Sequence, residues 1–126
     1  MADAVVTLEA RKKMVKARAG VMTLPSIVGM AFGDGGVDES GIPIAPSSSD
    51  TELKHEIYRK EIDNYSFISD TTCRYFCTLS MSECADADIN ELALYDSEGD
   101  IVAIKTFKSK GKDPDLEMTF RVDDIF

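Results

Sequence analysis

The chain has 126 residues, 44% of them hydrophobic and 29% charged, a composition typical of one globular domain with a buried core. Its formal net charge of -9 argues against nucleic acid as a partner, because phosphate contacts need clustered lysine and arginine. No apolar run approaches the roughly 20 residues that cross a bilayer, and the chain begins with an acid where a signal peptide carries basic residues, so no membrane association is predicted.

Residues 1–20 are predicted to contain a basic helix. Thr7 is a suitable N-cap for a helix that runs to Ala19, and Gly20 is a suitable stop. This segment carries five basic and two acidic side chains, whereas the rest of the chain carries nine basic and 21 acidic ones. We therefore expect the helix to lie against an acidic surface, its own or a neighbouring subunit's. The candidate residues for that contact are Arg11, Lys12 and Lys16.

Residues 26–126 are predicted to form a mainly β body. Alternation of apolar residues predicts a first strand at 26–32, and the Gly-Asp-Gly-Gly turn at 33–36 ends it. Positive φ at Gly35 or Gly36 is the expected reason for this glycine-rich turn. Loop 34–50 then carries two prolines and three consecutive serines, and it is the best candidate for a surface that orders only against a partner.

Two interpretations of residues 51–62 stay open, a helix capped by Asp50 or Thr51 and a strand beginning near Tyr58. Further strands are predicted at 64–68, 73–81, 92–95, 101–107 and 116–122, and a turn at 96–99 joins 92–95 to 101–107 as a hairpin. One N-terminal helix followed by five or six short strands predicts an α+β fold with a mainly antiparallel sheet or sandwich. The whole chain, 1–126, is predicted to be a single domain.

Residues that suggest chemistry each have a simpler structural explanation. Cys73, Cys77 and Cys84 are odd in number and far in sequence from the single histidine, His55, so burial is expected instead of a disulfide framework or a zinc site. The acidic cluster at 86–91 lacks the glycine and the twelfth-position glutamate of a calcium loop. The glycine-rich turn lacks the lysine of a phosphate loop. No enzymatic activity, no cofactor and no metal are predicted.

Three stretches, in this order and spacing, resemble the N-terminal attachment domain of phage tail-collar fibre proteins. They are Ile27 to Gly35, then Thr51-Glu52-Leu53 with Glu56, Tyr58 and Arg59, and finally Ile89 to Gly99 with its Glu91, Leu94, Tyr95 and Asp96. The resemblance implies scaffold roles: Gly33, Asp34 and Gly35 shape a turn, and Arg59 and Glu91 are candidate partners in a buried or interfacial ion pair.

The resemblance implies a structural component of a phage or prophage tail. Such a protein attaches the tail fibre to the baseplate or collar, has other tail and baseplate proteins as partners, and is located in the virion tail after assembly in the bacterial cytoplasm. Fibres of this kind are commonly trimeric, so a homotrimer is expected. They usually continue into a shaft, whereas this sequence ends at Phe126, so it is either part of a fibre or a short stand-alone baseplate component.

The alternative function is a small ligand-binding or glycan-binding β-sandwich module. Glycan sites typically present exposed aromatic rings, but this chain has no tryptophan. Its four tyrosines lie in strand or helix patterns where core packing accounts for them. The sequence therefore favours the tail protein over the glycan-binding module.

Overall fold

In the computed structural model, residues 4–126 are described, and they form one helix and eight β-strands. Helix α1 spans Leu8–Arg18. The strands are β1 (Val5–Val6), β2 (Ile27–Gly33), β3 (Glu56–Glu61), β4 (Asn64–Ser69), β5 (Thr72–Leu79), β6 (Asp88–Asp96), β7 (Ile101–Gly111) and β8 (Met118–Ile125). The predicted α+β class is confirmed.

The strands form two antiparallel sheets that pack face to face. The larger sheet has the order β1-β7-β6-β2-β3, and the smaller one has the order β4-β5-β8. The main core lies between them, where Phe32 of the larger sheet meets Phe120 of the smaller one edge to face, with ring centroids 5.2 Å apart. Because apolar residues of both sheets share this core, the two sheets depend on each other for burial. Cys77 is buried in it, whereas Cys73 and Cys84 are half-buried, and all three are free thiols.

A second, smaller apolar cluster covers the outer face of the larger sheet. Ala31, Ala93 and Ile104 lie side by side on neighbouring strands, and Leu53 from the segment before β3 packs on them. Loop 34–50 is attached to the same region, because Thr106 donates a hydrogen bond to the carbonyl of Ile44 over 2.9 Å. Contacts within the chain therefore give this loop a defined path, and its further contact with a partner stays a prediction.

Helix α1 has the predicted caps. The Thr7 hydroxyl accepts a hydrogen bond from the Ala10 N–H over 3.2 Å and donates one to the carbonyl of Ile101 over 2.8 Å. Gly20, two residues past the last helical residue, has φ +82°, a left-handed conformation that glycine adopts without a steric penalty. Thr7 thus fixes the start of the helix to the first residue of β7.

Of the two interpretations of residues 51–62, the helix is wrong and the strand is correct, although it begins earlier, at Glu56. A helix that began at Thr51 would use the N–H groups of its first turns within the helix or leave them to water. The N–H groups of Lys54 and His55 instead donate to the side chain of Glu91, which is distant in sequence. A tertiary contact therefore overrides the local helical pattern.

The connection between β5 and β6 is held by Glu83. Its carboxylate accepts hydrogen bonds from the Lys60 ammonium and the Ser80 N–H, each over 2.8 Å, and from the Tyr58 hydroxyl. The Lys60 hydrogen bond, followed by those of Ser80 and Tyr58, lowers the pKa of Glu83 to about 2. The ion pair is mostly shielded from solvent, since the Glu83 side chain is 17% exposed. Glu83 thus ties the smaller sheet to β3 of the larger one.

The wild-type protein is expected to lose stability in acid as Glu83 protonates. Because the folded pKa lies near 2 and the ordinary value is 4.5, the contribution is complete above about pH 4.5 and is lost as the pH falls toward 2. We expect about 1–2 kcal/mol, less than the full shift implies because the pair still touches solvent. Urea unfolding at a series of pH values, compared with Glu83→Gln, measures this contribution.

The matched control is Glu117→Gln, which makes the same charge change at an exposed position in the loop before β8. It should leave the acid branch of the stability curve as steep as in the wild type. If the acid branch of the stability curve were as steep in Glu83→Gln as in the wild type, Glu83 would not be the cause of the loss of stability in acid.

Candidate functional site

The Glu91 carboxylate lies where three segments of the chain meet. Glu91 belongs to β6 and is only 1% exposed. Its Oε2 accepts hydrogen bonds from the N–H groups of Gly35, over 2.8 Å, and His55, over 2.9 Å, and its Oε1 accepts one from Lys54 over 2.9 Å. One side chain thus satisfies three backbone donors that have no strand partner. Both oxygens are engaged, so the carboxylate shapes the backbone and is not presented as a base.

The preceding residue, Asn90, extends this arrangement. Its Oδ1 accepts a hydrogen bond from the Gly36 N–H over 2.7 Å, and its Nδ2 donates one to the Ser109 hydroxyl over 3.2 Å. The pairing of β6 with β7 shifts register between Ile89 and Glu91, and such an irregularity re-aims side chains. Adjacent residues can therefore reach the same loop. We call these two side chains, with the N–H groups of residues 35, 36, 54 and 55, the Glu91 clamp.

The glycines of residues 33–36 are needed because the backbone passes very close to the Glu91 clamp. A Cβ on Gly33 would lie 2.5 Å from both the Glu91 Oε2 and the His55 carbonyl oxygen, and one on Gly36 would lie 2.4 Å from the Asn90 carbonyl oxygen. Among the described residues, the glycines with positive φ are Gly20, Gly41 and Gly99. The prediction of positive φ at Gly35 or Gly36 is therefore wrong, and close approach is the reason for glycine.

Gly33→Ala is expected to lower the free energy of unfolding by about 2–4 kcal/mol, because the new methyl group would push against the His55 backbone and the Glu91 carboxylate. Chemical denaturation followed by circular dichroism measures the loss. The control is Gly111→Ala, where the nearest atom to a new Cβ is 3.6 Å away and no large loss is expected. Equal stability of the two variants would contradict the close approach at Gly33.

Asp34 and His55 form an ion pair on the outer side of the Glu91 clamp. The His55 Nδ1 contacts the Asp34 Oδ1, and the Asp34 N–H donates to the His55 carbonyl over 3.1 Å. The hydrogen bond with Asp34, followed by the charge of the same carboxylate, raises the pKa of His55 above its ordinary value. His55 is exposed. The structure thus brings Asp34 to the same place as Gly33, Gly35 and Glu91.

Arg59 does not join this cluster, and the predicted ion pair between Arg59 and Glu91 is wrong. Arg59 lies opposite Ala31 on β2, whereas Glu91 lies opposite Gly33. Both oxygens of the Glu91 carboxylate already accept hydrogen bonds from backbone N–H groups. The guanidinium binds the Glu56 carboxylate, with Nη2 to Oε1 at 2.9 Å and Nε to Oε2 at 3.2 Å.

The other contacts of Arg59 fix the hairpin between β6 and β7. Its Nη1 donates to the Gly99 carbonyl over 3.0 Å, and its guanidinium carbon lies 4.6 Å from the centroid of the Tyr95 ring. A cation over an aromatic face is attracted to it. Arg59 therefore links the edge strand β3 to the turn that follows β6.

The basic helix does contact an acidic surface of its own chain, but through Lys13. Its ammonium lies 2.7 Å from both Asp96 Oδ2 and Asp100 Oδ2 and 2.9 Å from Glu98 Oε1. Burial lowers the pKa of Lys13, but the hydrogen bonds with these three carboxylates raise it by more, so the pKa lies above its ordinary value. The three carboxylates are close enough to hold a cation, and the ammonium lies among them.

The predicted contact residues Arg11, Lys12 and Lys16 point away from this acidic turn. They surround the exposed side chains of Leu8 and Val15 on the outer side of α1. Residues 7, 10 and 13 share one helical face, and the burial of the first two shows that this face is turned toward the body of the protein. The outer residues keep their role as a candidate interaction surface.

A groove of about 450 Å³ opens between the helix, the segment after it and the smaller sheet. Its side chains include Leu24, Tyr65, Phe67, Asp124 and Phe126. Tyr65 is 55% exposed and Phe67 is 74% exposed, so the expectation that packing accounts for every tyrosine is wrong for Tyr65. It fails because β4 is an edge strand whose residues are all exposed. We call this feature the Asp124 groove.

Comparison with protein families gives a match over nearly the whole chain. Residues 1–120 match the family model that is described as "Phage tail-collar fibre protein, N-terminal". No curated protein and no solved structure gives a significant match. The match contains the Glu91 clamp, the Lys13 contact and β3 with Arg59.

Proposed function

The chain belongs to the family of phage tail-collar fibre proteins, and on this premise we propose that it attaches a tail fibre to the baseplate or collar. Membership in this family makes it a structural component of a phage tail that interacts with other tail proteins. Attachment to the baseplate or collar is the finer step. The observation that supports it is the match over residues 1–120, which covers the N-terminal domain of fibre proteins.

A scaffold role without catalysis fits the chemistry of the Glu91 clamp. The signature residues Gly33, Gly35 and Glu91 meet there, and the carboxylate is used entirely by backbone N–H groups. Such an arrangement fixes the path of two loops and offers no free nucleophile or base. Among the residues that the structure describes, no helix has the length and apolar character needed to cross a membrane.

The test is to find the protein in particles and locate it there. Particles are induced from the strain that encodes the protein, intact tails are purified on a gradient, and cross-linking mass spectrometry identifies the neighbours of the chain. We expect the protein to comigrate with tails and to cross-link to baseplate or collar proteins. Its absence from the tail fractions would overturn the proposal, and cross-links confined to the distal fibre would overturn the attachment role.

Binding of a glycan is the second candidate, and the exposed rings of Tyr65 and Phe67 favour it. Aromatic faces beside a carboxylate suit stacking on a sugar ring. The groove, however, is lined mainly by apolar groups, whereas each sugar hydroxyl that enters it needs a polar partner. A glycan array probed with the pure protein tests this candidate, and a signal that Phe67→Ser abolishes would favour it over a purely structural role.

The trimer stays a prediction. Sedimentation velocity over a range of protein concentrations measures the oligomeric state directly. A mass three times that of the chain would support it, and a monomer at high concentration would contradict self-association through residues 1–126.

A further inference from the structure

The Asp124 groove contains a buried carboxylate oxygen without a hydrogen bond. Asp124 lies in β8 and is 5% exposed, and its Oδ1 has no hydrogen-bond partner among the described residues. Burial raises the pKa of Asp124 above its ordinary value. Most buried polar atoms in proteins are hydrogen-bonded, so a buried carboxylate that has an unpaired oxygen and belongs to a residue lining a groove is a candidate acceptor for a donor that enters the groove. Lys13 lines the same groove, but its ammonium is held by the three acids of the β6–β7 turn.

The walls of the groove are apolar and unusually exposed. Tyr65 and Phe67 stand on the same face of β4, two residues apart, and their rings meet edge to face with centroids 5.8 Å apart. Phe126, 69% exposed, also lines the groove. Exposed apolar groups gathered around a carboxylate suit the stem and head group of a long basic side chain, which aromatic faces also attract.

The edge of the smaller sheet beside this groove is open. In the described part of the chain β4 pairs with β5 alone, which leaves its other edge without a strand partner. A strand added to this edge would lie three strand spacings, about 14 Å, from β8. A side chain that reaches Asp124 therefore comes from a segment that lies in the groove, across the face that carries Tyr65 and Phe67. The charge balance favours binding of a basic segment, because residues 21–126 carry 21 acidic and nine basic side chains.

We propose that the Asp124 groove binds an extended segment of a neighbouring tail protein, in which an arginine or lysine lies between apolar residues. The cationic head group donates to Asp124, and the apolar neighbours cover Tyr65, Phe67 and Phe126. This inference rests on the proposed function, because it names the chemistry of the protein on which the domain is seated. Neither a glycan nor the helix of a second copy is the proposed occupant, and the tests below separate them.

The first test uses a defined peptide. The probe is an acetylated and amidated heptapeptide of alternating valine and threonine with a central arginine, and the matched probe carries the uncharged citrulline at that position. Titrated into ¹⁵N-labelled protein, the arginine peptide is expected to shift the amide signals of Phe67, Cys73 and Asp124. The citrulline peptide is expected to bind about tenfold more weakly, the loss of roughly one charge-assisted hydrogen bond.

Two variants and two controls connect this binding to the groove. Asp124→Asn removes the charge and Phe67→Ser removes an exposed ring, so both are expected to fold and to bind the arginine peptide about tenfold more weakly. In the exposed loop between β7 and β8, Asp115→Asn makes the same change of charge and Leu116→Ser removes an exposed apolar side chain, so both should bind as the wild type does. Amide spectra of each free variant show that it is folded.

Several outcomes would overturn the proposal. Equal affinity of the two peptides would show that the cation has no role in binding. Amide shifts confined to another surface would show that the peptide does not bind in the groove. Concentration-dependent association of the protein that Asp124→Asn abolishes would assign the groove to a second copy, whose α1 presents Arg11, Lys12 and Lys16. A glycan-array signal that depends on Phe67 would assign it to a sugar.

A particle assay separates failure of this proposal from failure of the proposed function. The same variants are placed in the gene of the producing strain, and the protein is quantified in purified tails. The groove is supported as the docking surface if the wild-type protein is found in tails and the amounts of Asp124→Asn and Phe67→Ser in tails are about tenfold lower. Incorporation of both variants at the wild-type level overturns the groove and leaves the tail function intact. Absence of the wild-type protein from tails overturns the tail function and, with it, the binding of a segment from a neighbouring tail protein.

Discussion

Glu91→Ala is expected to lower the free energy of unfolding by about 3–5 kcal/mol. The substitution removes the acceptor of three backbone N–H groups, those of Gly35, Lys54 and His55, in a region that is partly closed to water. Each buried donor left without a partner costs about 1–3 kcal/mol, and partial rehydration limits the sum. Urea unfolding followed by circular dichroism measures the loss. Amide hydrogen exchange should show that residues 35, 54 and 55 lose protection before the strands do.

Two further variants define what the Glu91 carboxylate does. Glu91→Gln keeps one acceptor oxygen but turns an NH₂ group toward backbone donors, so an intermediate loss of about 2 kcal/mol is expected. Glu39→Ala, at an exposed position of loop 34–50, should change stability by less than about 0.5 kcal/mol. A Glu91→Ala loss as small as that of Glu39→Ala would mean that water replaces the carboxylate, and the clamp would not hold the two loops.

Most of the strands could be predicted from the sequence because they carry their own patterns, whereas the two-residue strand β1 carries none and was not predicted. Alternation in residues 73–81 and 116–122 corresponds to β5 and β8, whose inner face meets the larger sheet. Residues 51–62 carried two patterns at once, and the decision came from Glu91, 36 and 37 positions away along the chain. Local propensity cannot contain such a contact, because the partner enters only when the sheet has formed.

The candidate site was predictable in its residues but not in its connections. The resemblance identified Gly33, Asp34, Gly35 and Glu91, which the structure brings together, yet it paired Glu91 with Arg59. Opposite charge and family position suggested that pair, whereas Arg59 binds Glu56 of its own strand. Strand register places Glu91 opposite Gly33, where its carboxylate accepts from backbone N–H groups. Opposite charge identifies compatible partners, and register selects among them.

Burial was the other property that the sequence could not supply. In α1 the outer residues Arg11, Lys12 and Lys16 looked equivalent to Lys13, because a basic run does not reveal which side chain faces the body. In β4 the alternating aromatics looked like core residues, although the strand lies at the open edge of the smaller sheet. Both errors follow from the same cause: a helix face or strand face is defined by its neighbours, and these come from distant parts of the chain.

Lys13→Met is expected to lower the free energy of unfolding by about 3–5 kcal/mol. Methionine keeps much of the volume of the buried stem but leaves Asp96, which is 2% exposed, without its cation and beside two more carboxylates. Removing one partner of a buried ion pair costs more than the pair contributes, because the remaining charge stays desolvated. Urea is the suitable denaturant, since guanidinium would screen the acids. The loss should be accompanied by faster hydrogen exchange in α1, which this contact holds against the β6–β7 turn.

The control for Lys13 is Lys16→Met, which removes the same charge from the exposed side of α1 and should change stability by less than about 0.5 kcal/mol. The double variant Lys13→Met with Asp96→Asn tests the mechanism. Because the asparagine carries no charge, it should recover about 1–2 kcal/mol of the loss, although its hydrogen bonds from the turn are weaker. If the stability effects of the two substitutions were strictly additive, the loss in Lys13→Met would come from altered packing of the helix and not from the unpaired Asp96 carboxylate.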